Sequence, residues 1–147
     1  MHAYPHVYVA AARGEPAGLV PVTTPTAPDV ATAPPPQFDG PEGYWSPETL
    51  LIAALANCFI LTFRAVSRGA RFEWLHLDCK VEGVLDKVDG ITQFARFETH
   101  ATLAVAPGAD AAKATQLLEK AEHLCLIANS MRGTRTLQVQ LVTVGAQ

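Results

Sequence analysis

The chain has 147 residues, enough for one domain with a real apolar core and too few for two to be expected. A formal charge of −3, with no cluster of Lys or Arg, excludes nucleic acid and anionic membrane as the main partner. Charged residues make up only 17 % of the chain, which suits a protein that hides part of its surface in an oligomer.

The N-terminal "MHAYPHVYVAAARGEP" lacks a charged start followed by an unbroken apolar core, so no export signal is read there and a cytoplasmic protein is expected. Within it, "HVYVAAA" and the following "AGLVPV" are candidate strands around a turn at Arg13-Gly14-Glu15-Pro16. The segment from Pro21 to Gly43 holds most of the eleven prolines and resists helix and central strand alike; it reads as a loop laid over the fold.

A helix then opens with clear signals. Ser46 is a good N-cap, Pro47 suits the first helical position, and Glu48 favours the positive end of the helix dipole. The helix is expected to run to about Ser67, with Gly69 as its stop. Its run from Leu50 to Phe63 falls short of the ~20 apolar residues a bilayer crossing needs, so it reads as buried in protein. A helix apolar on all sides must be covered on all sides. A second copy of the same helix is the economical cover, which predicts a homodimer with this helix near the seam.

Next comes a hairpin. Leu75, Leu77, Cys79 and Val81 fall on one strand face and His76, Asp78, Lys80 and Glu82 on the other; Asp89-Gly90 marks the turn. The return strand from Ile91 to Val105 sets Phe97, Ala101, Leu103 and Val105 against Arg96, Glu98, His100 and Thr102. "APGAD" leads into a second helix in which Ala114, Leu117, Leu118, Ala121, Leu124, Cys125 and Ala128 recur at helical spacing. "TRTLQVQLVTVG" closes the chain as a strand. Together these elements give an α+β fold in one domain over residues 1–147. Residues 1–45 supply N-terminal strands and the proline-rich loop, and 46–147 the two helices, the hairpin and the last strand.

An odd count of three cysteines argues against a structural disulfide framework. Cys79, between Leu77 and Val81, reads as core packing. Cys58 stands too far into its helix for the dipole to stabilise a thiolate, and apolar surroundings alone leave a thiol inert. It is either a packing residue or a nucleophile served by an external cation. Cys125 lies on the apolar face of the second helix. Two thiols on the buried faces of different helices are compatible with a redox pair, although no CxxC spacing forces them together. His2 and His6 flank Pro5 at a weak metal spacing, and His123 reads as a surface histidine. No zinc cluster, glycine-rich phosphate loop or GxSxG elbow is present, so neither metal nor cofactor is expected.

"SPETLLIAALANCF" resembles the central-helix signature of the OsmC/Ohr superfamily of thiol-dependent peroxidases, with its Pro-Glu start and a Cys ten residues after the Glu. "AEHLCLIANSM" is similar to that family's second-helix motif, and "VEGVLDKVDG" matches its hairpin less specifically. The resemblance implies the OsmC-like fold, antiparallel sheets around a long buried central helix, in an intertwined homodimer. It implies Cys58 as the thiolate that attacks an organic hydroperoxide, Cys125 as the resolving thiol, and a Cys58–Cys125 disulfide reduced by a dithiol such as a lipoylated protein. Glu48 would match the glutamate that orients an arginine beside the thiolate, and Arg13 is the arginine preceding the helix that could fill that role. Glu48 and Cys58 stand about 15 Å apart along the helix axis, so the glutamate can act only through a long arginine or across a two-fold axis. Two other readings remain: an OsmC-like binding protein for an apolar ligand, and a hot-dog-type thioesterase, for which the helix centre offers no acid or base.

Overall fold

The computed structural model describes residues 1–145, and the chain divides into two compact units, the first ending at Leu51 and the second beginning at Ile52. The first unit is built on β1 (Ala11–Ala12), β2 (Val20–Thr24) and β3 (Ala27–Thr32), an antiparallel sheet in that spatial order. Most of β2 and all of β3 fall where the proline content predicts a loop. The prolines are tolerated for separate reasons. Pro28 lies on the edge strand β3, where a missing N–H leaves no ladder bond unmade. Pro21 turns its carbonyl towards β1, accepting the Arg13 N–H at 3.3 Å, so its ring nitrogen faces the same way, past the end of that two-residue strand. Pro25 occupies the tight turn between Thr24 and Ala27, where its fixed φ is an asset.

Helix α1 (Pro47–Gly69) begins in the first unit and continues through the second. Ser46 caps it as the sequence predicts. Its Oγ accepts the Thr49 N–H at 3.1 Å, while Thr49 Oγ1 accepts the Ser46 N–H at 2.9 Å, a reciprocal capping box closed by Thr in place of the usual Glu. By length and composition the helix could span a bilayer, 23 residues rising about 34 Å, a criterion that core helices of water-soluble proteins also meet. Its buried stripe is Leu55, Phe59, Phe63 and Ser67, spaced by four. Leu61, half exposed, lies with Asn57 and Ala65 outside that stripe, so part of the apolar surface of α1 is uncovered within the single chain.

The second unit pairs β4 (His76–Val88) with β5 (Ile91–Val105) as an antiparallel hairpin. Asp89 and Gly90 both have positive φ, 52° and 80°, so the two-residue turn is of the primed type that follows strand twist. β6 (Thr134–Thr143) lies parallel to β5 on its other side, from Arg96 opposite Thr134 to Val105 opposite Thr143. Parallel neighbours need a long crossover. Here α2 (Ala111–Leu124) and α3 (Leu126–Asn129) supply it. The expected alternation holds on β5, where Phe97, Thr99, Ala101, Leu103 and Val105 are buried. Ala101, Leu103 and Val105 join Phe59 and Phe63 of α1 and Ala114, Leu117, Leu118 and Ala121 of α2 in the main core. The second helix departs from expectation at one point, ending at Leu124 instead of running on through Ala128.

Candidate active site

The break after Leu124 places Cys125. Its ψ of 107° leaves it extended, at once the last residue capping α2 and the residue before α3. The bend turns the side chain inward, and Cys125 is only 1 % exposed. It lies in a second apolar cluster with Leu55, Phe97 and Ala128, against which Cys58 of α1 also packs. Cys58 and Cys125 are thus neighbours in one apolar cluster. Burial is the main reason the Cys125 thiol is pushed up to about 11; the adjoining Cys58 acts in the same direction, and the N–H groups of Ala128 and Ile127 oppose it. Cys125 therefore stays protonated at neutral pH. Cys79 is half-buried against the main core, and burial, then the field of Cys125, pushes it up to about 11 as well.

The two other candidates, Glu48 and Arg13, belong to the first unit. Glu48 stands in the first turn of α1 with Oε2 buried and without a hydrogen-bond partner. A buried carboxylate oxygen left unpaired is costly, and among the described ion pairs none joins it to Arg13. Arg13 is exposed just after β1, beside a shallow depression of about 190 Å³ shared with Glu15 and Leu19. The chain thus brings the two thiols together but leaves the carboxylate and the arginine unpaired with each other.

Elsewhere, ligand atoms of Glu82, Glu98 and His100 lie within 4.8 Å of one another on the outer face of the hairpin. Glu82 is held by Lys80, which pulls its carboxyl below the usual range, and Glu98 by Arg96 at 3.0 Å. Each carboxylate already has its cation, so the group is a ladder of surface ion pairs. His6 and His2 lie in an extended segment with His6 Nε2 3.0 Å from the His2 carbonyl, and His123 is exposed, as its sequence context predicts.

Sequence reasoning passed over Thr62. Its Oγ1 lies 3.8 Å from Cys58 Sγ, and the four-residue spacing on one helix was the available signal.

The α+β scaffold thus sets two thiols, Cys58 of α1 and Cys125 at the joint between α2 and α3, in one apolar cluster. Residues 40–140 match the sequence pattern of the OsmC-like protein family, and the chain belongs to that family. It is 30 % identical over 105 residues to the peroxiredoxin OsmC of Escherichia coli strain K12, covering 71 % of this chain and 72 % of that protein. It is 28 % identical over 109 residues to the uncharacterized protein YmaD of Bacillus subtilis, covering 72 % and 73 %. In structure it resembles an OsmC-like protein of unknown function from Vibrio cholerae, with a TM-score of 0.82 at 15 % identity over 92 % of this chain and 99 % of that one. The OhrB organic hydroperoxide resistance protein of B. subtilis superposes with a TM-score of 0.66 at 20 % identity, over 93 % and 98 %. These likenesses establish the OsmC-like fold expected from the sequence.

Proposed function

We propose that the protein is a thiol peroxidase that reduces organic hydroperoxides. The observation that carries this reading is the meeting of Cys58 of α1 and Cys125 of the joint between α2 and α3 inside one apolar cluster. The relative called peroxiredoxin in E. coli supports it at the level of the family. The Cys58 thiolate attacks the distal oxygen of ROOH. The O–O bond breaks, RO⁻ leaves and takes up a proton as ROH, and Cys58 becomes a sulfenic acid. The Cys125 thiol then condenses with it, releasing water and forming the Cys58–Cys125 disulfide. A dithiol reductant, a lipoylated protein being one such class, returns both cysteines to thiols and is itself oxidised to a disulfide. Leu55 and Phe97 around the sulfurs favour bulky apolar peroxides over hydrogen peroxide.

Arg13 is the cation we assign to the thiolate, oriented by Glu48, whose buried Oε2 lacks a partner. A second copy of the chain covers the apolar surface that α1 leaves open, and the resulting homodimer completes the site. The test is direct: one equivalent of cumene hydroperoxide given to the reduced protein should yield a monomer mass two hydrogens lower, with peptide mapping joining Cys58 to Cys125. Both thiols found free after that dose would reject the proposal.

One observation favours a second reading. Cys58 packs against an apolar cluster of Leu55, Phe97 and Ala128, as suits a protein of this fold that binds an apolar ligand without turnover. A lipid-like molecule co-purifying with protein that consumes no peroxide would select it.

A further inference from the structure

Cys58 and Thr62 stand one helical turn apart on α1, so their side chains lie on the same stripe of the helix. Cys58 Sγ and Thr62 Oγ1 are 3.8 Å apart, within reach of a hydrogen bond to sulfur. While Cys58 is a thiol either group can donate. Once the thiol has lost its proton the sulfur can only accept, and the hydroxyl must be the donor.

A hydroxyl inside a helix ordinarily bonds the carbonyl four residues back. Thr115 does so in α2, its Oγ1 3.1 Å from the Ala111 carbonyl, and Ser130 does so after α3, 2.8 Å from that of Leu126. Among the described hydrogen bonds Thr62 makes no such bond; its hydroxyl is turned to the Cys58 sulfur. The surroundings give that choice weight. The elements packed around Cys58 contribute Phe97 from β5, Val81 from β4 and Ile127 from α3, none of which has a side-chain donor. The thiols beside it are Cys125 directly and Cys79 next to that, and neither carries positive charge. Thr62 also lines an open cleft of about 470 Å³ with Ala65, Leu124 and the cationic Lys120, so the hydroxyl stands between that cleft and the sulfur.

We propose that Thr62 is a positioning residue for the Cys58 thiolate, donating its hydroxyl proton to Sγ and so holding the sulfur in one rotamer in its reactive form. This rests on the reading of Cys58 as the reacting thiol. A hydrogen bond that is stronger to the charged sulfur than to the thiol favours the charged form, and a difference worth a single unit on the pH scale changes the thiolate fraction about tenfold below the midpoint.

The experiment follows alkylation of Cys58 by iodoacetamide against pH in the reduced full-length protein, with the modified peptide quantified by mass spectrometry. Thr62→Val keeps the shape and removes the donor; Thr62→Ser keeps the donor and trims the shape. The midpoint should rise by about one unit in Thr62→Val and return to within a few tenths of the parent in Thr62→Ser. An unmoved midpoint in Thr62→Val would overturn the proposal. So would a Thr62→Ser protein shifted as far as Thr62→Val, because the effect would then belong to packing. Alkylation needs no peroxide, so a Cys58 that fails to react with hydroperoxide would sink the peroxidase reading without touching this result.

Discussion

Closing the Cys58–Cys125 bond should stabilise the protein by an amount that the chain length between the two residues sets. The disulfide spans about 70 residues of chain, a loop whose closure removes about 4 kcal/mol of conformational freedom from the unfolded state at 25 °C. Little of this should be lost to native-state strain, because both thiols already pack in one apolar cluster in the reduced fold. For a chain of this size a urea slope of about 2 kcal/mol per molar turns that gain into an upward shift of the unfolding midpoint of about 2 M. The measurement compares reduced protein with protein oxidised by one equivalent of cumene hydroperoxide at equal protomer concentration, followed by far-ultraviolet circular dichroism. Cys125→Ser is the control, and it should show no shift. If the oxidised protein carries the mapped Cys58–Cys125 bond yet unfolds at the same urea concentration as the reduced form, the argument from contact and loop length is wrong.

Three further outcomes follow from the same coordinates. Phe63 is fully buried and meets the Trp74 ring edge-on at 5.2 Å, so Phe63→Ala should cost about 3–5 kcal/mol in urea unfolding. Cys79 and Cys125 are raised to about 11 in the folded state, so the unfolded chain ionises first as pH rises. Their contribution is whole below the ordinary thiol range and is lost as pH climbs through it towards about 11; a Cys79→Ala protein should lose less stability than the parent over that window. Arg13 is exposed, so Arg13→Ala should leave the urea midpoint unchanged while slowing peroxide consumption by about 100-fold, the scale of losing one charge that stabilises a reacting anion.

What the sequence determined was everything carried by nearest neighbours along the chain. The capped start at Ser46-Pro47, the Asp89-Gly90 turn and the alternation of β5 are local rules, and each stands where it was expected. The family pattern carries the OsmC-like fold, and the resemblance of two motifs in the sequence implied Cys58 and Cys125 as the reacting pair. The strand at Ala27–Thr32 and the end of Val20–Thr24 beyond the candidate strand "AGLVPV" were hidden, because a proline costs a strand only where its missing N–H would have met a partner, and pairing is not written in a single segment. The break at Cys125 was hidden for a related reason. Nothing in "AEHLCLIANSM" forbids a continuous helix, and it is the packing of Cys125 and Ala128 beside Leu55 and Phe97 that makes the bend worthwhile. Spacing could name two thiols; only the three-dimensional packing of α1, β5 and the joint between α2 and α3 could set them side by side and turn the Thr62 hydroxyl towards one of them.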